Sequence, residues 1–98
     1  MPLKNPKTAE KFDDLVEVLK KLRAPGGCDW DRAQTSASLV PYLLEETYEV
    51  IEAIEEKDTE TLKEELGDLS LHIIFQAELA EEKGDFTMAD ALAGVSEK

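Results

Sequence analysis

The sequence is short of positive charge. Lys and Arg number 11 against 23 Asp and Glu, giving a formal charge of −12 over 98 residues. A surface this acidic repels nucleic-acid polymers and anionic membranes. It admits a small phosphorylated ligand where a metal ion bridges carboxylates and phosphates. Cys28 is the only cysteine, so no internal disulfide forms, which suits a reducing compartment. His72 is the only histidine, too few nitrogen ligands for an ordinary zinc site. Long apolar runs are missing as well. The longest, "LSLHIIF", falls short of a membrane span, and the first residues, "MPLKNPKTAEKFDD", have no apolar signal core. The expectation is a cytoplasmic protein with no membrane and no nucleic-acid polymer as partner.

Aromatics (6%), Gly and Pro are scarce, whereas Leu, Ala, Glu and Lys are abundant, a balance that favours helices over sheets. The hydrophobic content of 42% recurs with helical period, which argues against disorder. The length suits one small domain, 1–98, and a core of that size gains from packing against a second copy. The fold class expected is all-α: a small bundle of about four helices, completed by a second subunit.

Residues 1–7 hold two prolines and read as an irregular lead-in. Thr8 is positioned to cap a first helix with apolar residues at Phe12, Leu15, Leu19 and Leu22, which "APGG" stops. "CDWDRAQTSAS" has no clear period and reads as an ordered loop. A second helix is expected to start near Thr35 to Ser38, carry Pro41 in its first turn, and run to about Glu56. Asp58 or Thr59 caps a third, which reaches about Lys83 with Gly84 as its terminator. Thr87 caps a fourth, running to the end of the chain. Connections this short make neighbouring helices antiparallel.

The glutamates of "YLLEETYEVIEAIEE" do not all oppose the apolar stripe. With about 100° per residue, Leu43, Thr47, Val50 and Ile54 form that stripe, Glu46 lies about 60° to one side, and Glu49 about 60° further. The third helix repeats the pattern. Leu62, Leu66, Leu69, Ile73 and Ala77 form its stripe, with Glu65 and then Asp68 at the same offsets. Beyond Ser70 this helix is apolar almost all round, which suggests a dimer. Packed together, the two helices bring two i, i+3 acidic pairs into one place. Two readings stand at this point: ordinary solvated glutamates, or an all-oxygen site for Mg2+ or Mn2+. A di-iron bundle is disfavoured, because it needs Glu-x-x-His on two helices.

The string "EETYE" (Glu45 to Glu49) followed by "ELGD" (Glu65 to Asp68) resembles the EExxE…ExxD signature of MazG-type nucleoside triphosphate pyrophosphohydrolases. "GGCDWDRAQT" resembles that family's Cys-Pro-Trp-Asp-x-x-Gln-Thr loop, with Asp29 where proline is usual. "PYLLEETYEV" and "ELGDLSLHIIFQAELAEE" are similar to the family throughout, and the resemblance covers roughly Leu15 to Lys98. It implies an all-α fold whose helices pair between subunits. It also implies Mg2+-dependent cleavage of nucleoside triphosphates between the α and β phosphates, giving a monophosphate and pyrophosphate. Carried over position by position, the metal ligands are Glu46, Glu49, Glu65 and Asp68, with Glu45 orienting water or supporting the ligands. Family members continue past a position like Lys98 into a basic, aromatic-containing stretch that helps hold substrate, which this sequence does not include. That departure motivates a second reading, a catalytically weak helical module that binds nucleotide or a partner protein.

Three further residues are candidates for the substrate. Trp30 can stack on a nucleobase or anchor its loop. Gln34 can hydrogen-bond a base or ribose or support a helix start. Lys98 can meet phosphate or remain solvated. Tyr42 and Tyr48 are expected to pack, with Tyr42 on the acidic side of its helix. His72 is expected to make a polar contact near the acids. The partners expected are thus a nucleoside triphosphate and a second copy, as dimer or tetramer.

Overall fold

The computed structural model describes residues 3–98. Five α-helices and no strand occur among them: α1 (Pro6–Arg23), α2 (Asp29–Ala33), α3 (Val40–Glu55), α4 (Thr59–Glu82) and α5 (Met88–Ser96). The all-α expectation holds, with one helix more than anticipated. The chain divides into two compact units, the first ending at Ala33 and the second spanning Gln34–Lys98.

In the first unit, helix α1 starts before Thr8, with Asn5 as its N-cap. Pro6 suits the first turn, where its missing N–H leaves no bond unmade. The lead-in is therefore shorter than expected, and Met1 and Pro2 lie outside the described residues. Lys20, Lys21 and Arg23 crowd the last turn, where cations oppose the negative end of the helix dipole. The chain then turns tightly, Gly27 N–H donating to Ala24 C=O (2.8 Å) and Cys28 N–H to Leu22 C=O (2.8 Å). A Cβ on Gly27 would lie 2.4 Å from the Leu22 carbonyl oxygen, so only glycine fits. The segment expected to be an ordered loop instead contains α2. One turn of helix shows too little periodicity to be read from sequence.

In the second unit, Thr35 and Ser38 cap each other rather than α3. Thr35 N–H donates to Ser38 Oγ (2.8 Å) and Ser38 N–H to Thr35 Oγ1 (3.0 Å). Helix α3 follows with Leu39 at its N-cap and Pro41 in its first turn. Gln76 Nε2 donates to the Ser36 carbonyl (3.1 Å) and Gln76 Oε1 accepts from Ser36 Oγ, which ties this turn to α4. Asp58 caps α4 by accepting from Thr61 N–H (3.1 Å). Thr87 and Asp90 form a reciprocal capping box on α5. Helix α3 packs on α4, and α5 packs on α4. The connection between α3 and α4 spans only residues 56–58, which makes the pair antiparallel.

Leu39, Val50, Ala53, Ile74, Phe75, Ala77 and Leu79 are the buried apolar residues of this unit. Burying a side chain such as Ile74 contributes about 1.5–3 kcal/mol. The inward face of α3 is rotated from the expected stripe. Ile54 is 56% exposed, and Thr47 is exposed with its hydroxyl satisfied by the Leu43 carbonyl (2.8 Å). On α4, Leu66 (48%) and Ile73 (47%) face outward, while Leu62 and Leu69 are half-buried. A helix with apolar residues on more than one face does not announce which face its neighbour covers.

Candidate metal centre

That rotation decides the site. With Val50 and Ala53 inward, Glu46 lies about 40° from the first and about 20° from the second around the axis, within the buried face. Glu49 sits at the edge of the same face, about 40° from Ala53. The small side chain at Ala53 leaves room between the helices. Opposite them, α4 presents Glu65, half-buried, about 60° from half-buried Leu62 and about 40° from half-buried Leu69 around the axis.

Glu46, Glu49 and Glu65 each offer a carboxylate oxygen, and these oxygens lie within 4.8 Å of one another. Three carboxyls approaching this closely create an electrostatic demand. Glu46 Oε1 and Glu65 Oε2 are buried and have no hydrogen-bond partner. An ionised carboxylate only accepts, so these groups can bond one another only when one carries a proton. Their proton affinities reflect this. The Glu46 carboxyl is held above its ordinary value first by burial, and the charges of Glu49 and Asp68 add to that. Glu49 is raised chiefly through its contact with Glu65, and Glu65 through its contact with Glu46. A divalent cation removes the conflict, since a hard ion prefers carboxylate oxygens and replaces the missing protons. The residues present therefore fit a hard divalent cation.

Of the four expected ligands, the structure gathers three. Asp68 is exposed and outside that group, although its charge is felt by both Glu46 and Glu65. Glu45 is exposed, and its charge acts on Glu49. His72 is half-buried on the Glu65 side of α4. Gln34 is half-buried, and its Oε1 accepts from Ser38 Oγ (2.8 Å), the helix-start role weighed above. Trp30 belongs to the first unit, in α2, and is 49% exposed. Lys98 is exposed at the end of the second unit. Tyr42 and Tyr48, expected to pack, are both exposed.

Fold and site together define an all-α protein whose antiparallel helix pair gathers carboxylates suited to a hard cation. The family model described as the MazG nucleotide pyrophosphohydrolase domain matches residues 34–98, the extent of the second unit. The chain belongs to this family. It is 53% identical over 87 residues to the nucleoside triphosphate pyrophosphohydrolase/pyrophosphatase MazG of Thermotoga maritima, covering 89% of this chain and 34% of that protein. It is 45% identical over 89 residues to a nucleoside triphosphate pyrophosphohydrolase of Escherichia coli, covering 90% of this chain and 34% of that protein. A nucleoside triphosphate pyrophosphohydrolase of Mycobacterium tuberculosis is 43% identical over 83 residues, covering 83% of this chain and 25% of that protein. The chain thus spans about a third or less of these relatives.

Proposed function

We propose that the chain is a Mg2+-dependent nucleoside triphosphate pyrophosphohydrolase domain, with Mn2+ able to substitute. Water adds across the α–β anhydride, giving a nucleoside monophosphate and pyrophosphate. The observation that carries this reading is the pair of buried, partnerless oxygens on Glu46 of α3 and Glu65 of α4, in a group whose carboxylates lie within 4.8 Å of one another and within the family's acidic signature. Glu46, Glu49 and Glu65 would hold the ion, with Asp68 as a fourth ligand. The bound ion supplies charge neutralisation of the triphosphate and polarisation of the phosphoryl group. Glu45 orients the attacking water, and an ionised carboxylate at the site accepts its proton. Val50 and Ala53 keep the floor of the site apolar, which strengthens every charge interaction above it.

Pyrophosphate release from a panel of canonical and modified triphosphates tests the reading. Release that requires Mg2+ or Mn2+ is the expected result; no release from any triphosphate in either metal overturns it. Calorimetric binding without turnover would instead assign the chain to the nucleotide-binding module. The exposed Leu44, Ile51 and Ile54 of α3, with Leu66 and Ile73 of α4, support assembly with a second copy. Light scattering on the purified chain is expected to show a dimer or tetramer, and a monomer would refute this part. Among the described residues no helix is long and apolar enough to cross a membrane.

A further inference from the structure

The carboxylates account for the phosphates of a triphosphate and leave its base without a contact. The antiparallel pair offers two directions away from the cluster. Toward the 56–58 turn lie Ala53 and Thr61, bordered by exposed Glu52, Glu56, Asp58 and Glu60. Among the described residues of this helix pair, no aromatic side chain lies toward that end. In the other direction lie Tyr42 on α3 and His72 on α4, both on the side of the cluster remote from the turn. Tyr42 is one turn before Glu46, about 40° from it around the axis and about 20° from Glu49, so it shares their face. Its Cα is about 6 Å along the axis from that of Glu46 and about 10 Å from that of Glu49, the scale of a nucleoside. The side chain is 46% exposed, so part of it is open to solvent.

We propose that Tyr42 is the base-contacting residue of the site, its ring stacking on the nucleobase of a triphosphate whose phosphates lie at Glu46, Glu49 and Glu65. This rests on the pyrophosphohydrolase reading above. Stacking on a single ring tolerates every base, because each presents a π-face. The contact therefore favours nucleotides over inorganic polyphosphate more than it favours one base over another.

The test compares two ligands on the full chain with Mn2+ present: a non-hydrolysable nucleoside triphosphate analogue and inorganic tripolyphosphate. Tyr42→Ala is expected to weaken the analogue by about tenfold or more while leaving tripolyphosphate unchanged. Tyr42→Phe, which keeps the ring, is expected to restore nucleotide affinity. Equal weakening of both ligands would mean that Tyr42 only supports the helix, and unchanged nucleotide affinity would mean that the base lies elsewhere; either overturns the proposal. Wild-type chain that binds neither ligand in Mn2+ overturns the proposal together with the phosphate site, whereas binding of tripolyphosphate but not nucleotide overturns Tyr42 alone.

Discussion

Helix α3 carries its acids at Glu46 and Glu49, and α4 repeats the spacing at Glu65 and Asp68, yet only Glu65 of the second pair joins the cluster. On α3 both acids lie on the arc that also holds Val50 and Ala53, so packing carries them inward. On α4, half-buried Glu65 lies about 40–60° from half-buried Leu69 and Leu62. Asp68 lies about 60° beyond Glu65, about 100–120° from those leucines, on a side chain one methylene shorter, and is exposed. Equal spacing in sequence thus yields unequal burial, because the neighbour covers only one arc of each helix. The two helices differ at their ends too. Both close with paired backbone bonds into a left-handed residue: Lys57 N–H to Ile54 C=O and Asp58 N–H to Ala53 C=O on α3, Gly84 N–H to Glu81 C=O and Asp85 N–H to Ala80 C=O on α4. Lys57 takes φ 55° where α4 uses Gly84 at φ 77°.

The sharpest way to break the comparison is to neutralise one acid at a time. Glu65→Gln and Glu46→Gln are expected to lower pyrophosphate release by more than the roughly 10–100-fold typical of residues that only support a ligand. Circular dichroism should show unchanged helix. Asp68→Asn is expected to cost less, about tenfold, because Asp68 is exposed and lies outside the group of three carboxylates. Equal losses at Glu65 and Asp68 would show that the cation draws Asp68 fully into the set.

Stability against pH separates the pairs next. Glu46, Glu49 and Glu65 hold protons more tightly folded than unfolded, so their contribution is most favourable near and below the ordinary glutamate value of 4.5. It is lost as pH rises through their raised values, because the folded state then binds more protons than the unfolded one. Urea titrations between about pH 5 and about pH 8 without metal are expected to show stability falling as pH rises. Glu65→Gln should flatten that slope, Asp68→Asn should flatten it less, and saturating Mg2+ should counter it by binding the folded form. A slope unchanged in Glu65→Gln would mean that the repulsion lies elsewhere on this acidic surface.

The smallest effects belong to the helix ends. Lys57→Gly is expected to stabilise the chain by about 1 kcal/mol and Gly84→Ala to destabilise it by about as much, since only glycine enters the left-handed region without a Cβ penalty. Thermal melts of both variants check the pair, and shifts of the same sign would refute the account.

Much of this was legible beforehand. The acidic i, i+3 spacing, Pro41 in a first turn, Asp58 and Thr87 as caps, and Gly84 as terminator are local features, decided within a turn of chain. What escaped was α2, too short to show a period, and the lysine that closes α3, which no composition rule marks. Of the expected α3 stripe, Val50 is buried and Leu43 half-buried, whereas Thr47 and Ile54 face out. Thr47 satisfies its hydroxyl on its own helix and needs no partner, which leaves it free to face water. The partial exposure of Tyr42 is likewise not legible from a tyrosine at a helix start.

By itself, the sequence determined that the chain is helical, where most helices begin and end, and that two acidic pairs recur at one spacing. Those properties depend on contacts between residues a few positions apart. Only the tertiary structure decided which carboxylates meet. The choice turns on rotation of α3 and α4 about their own axes, set by how Val50, Ala53 and their neighbours pack. A rotation of about 60° separates Glu65, inside the carboxylate cluster, from Asp68, exposed outside it.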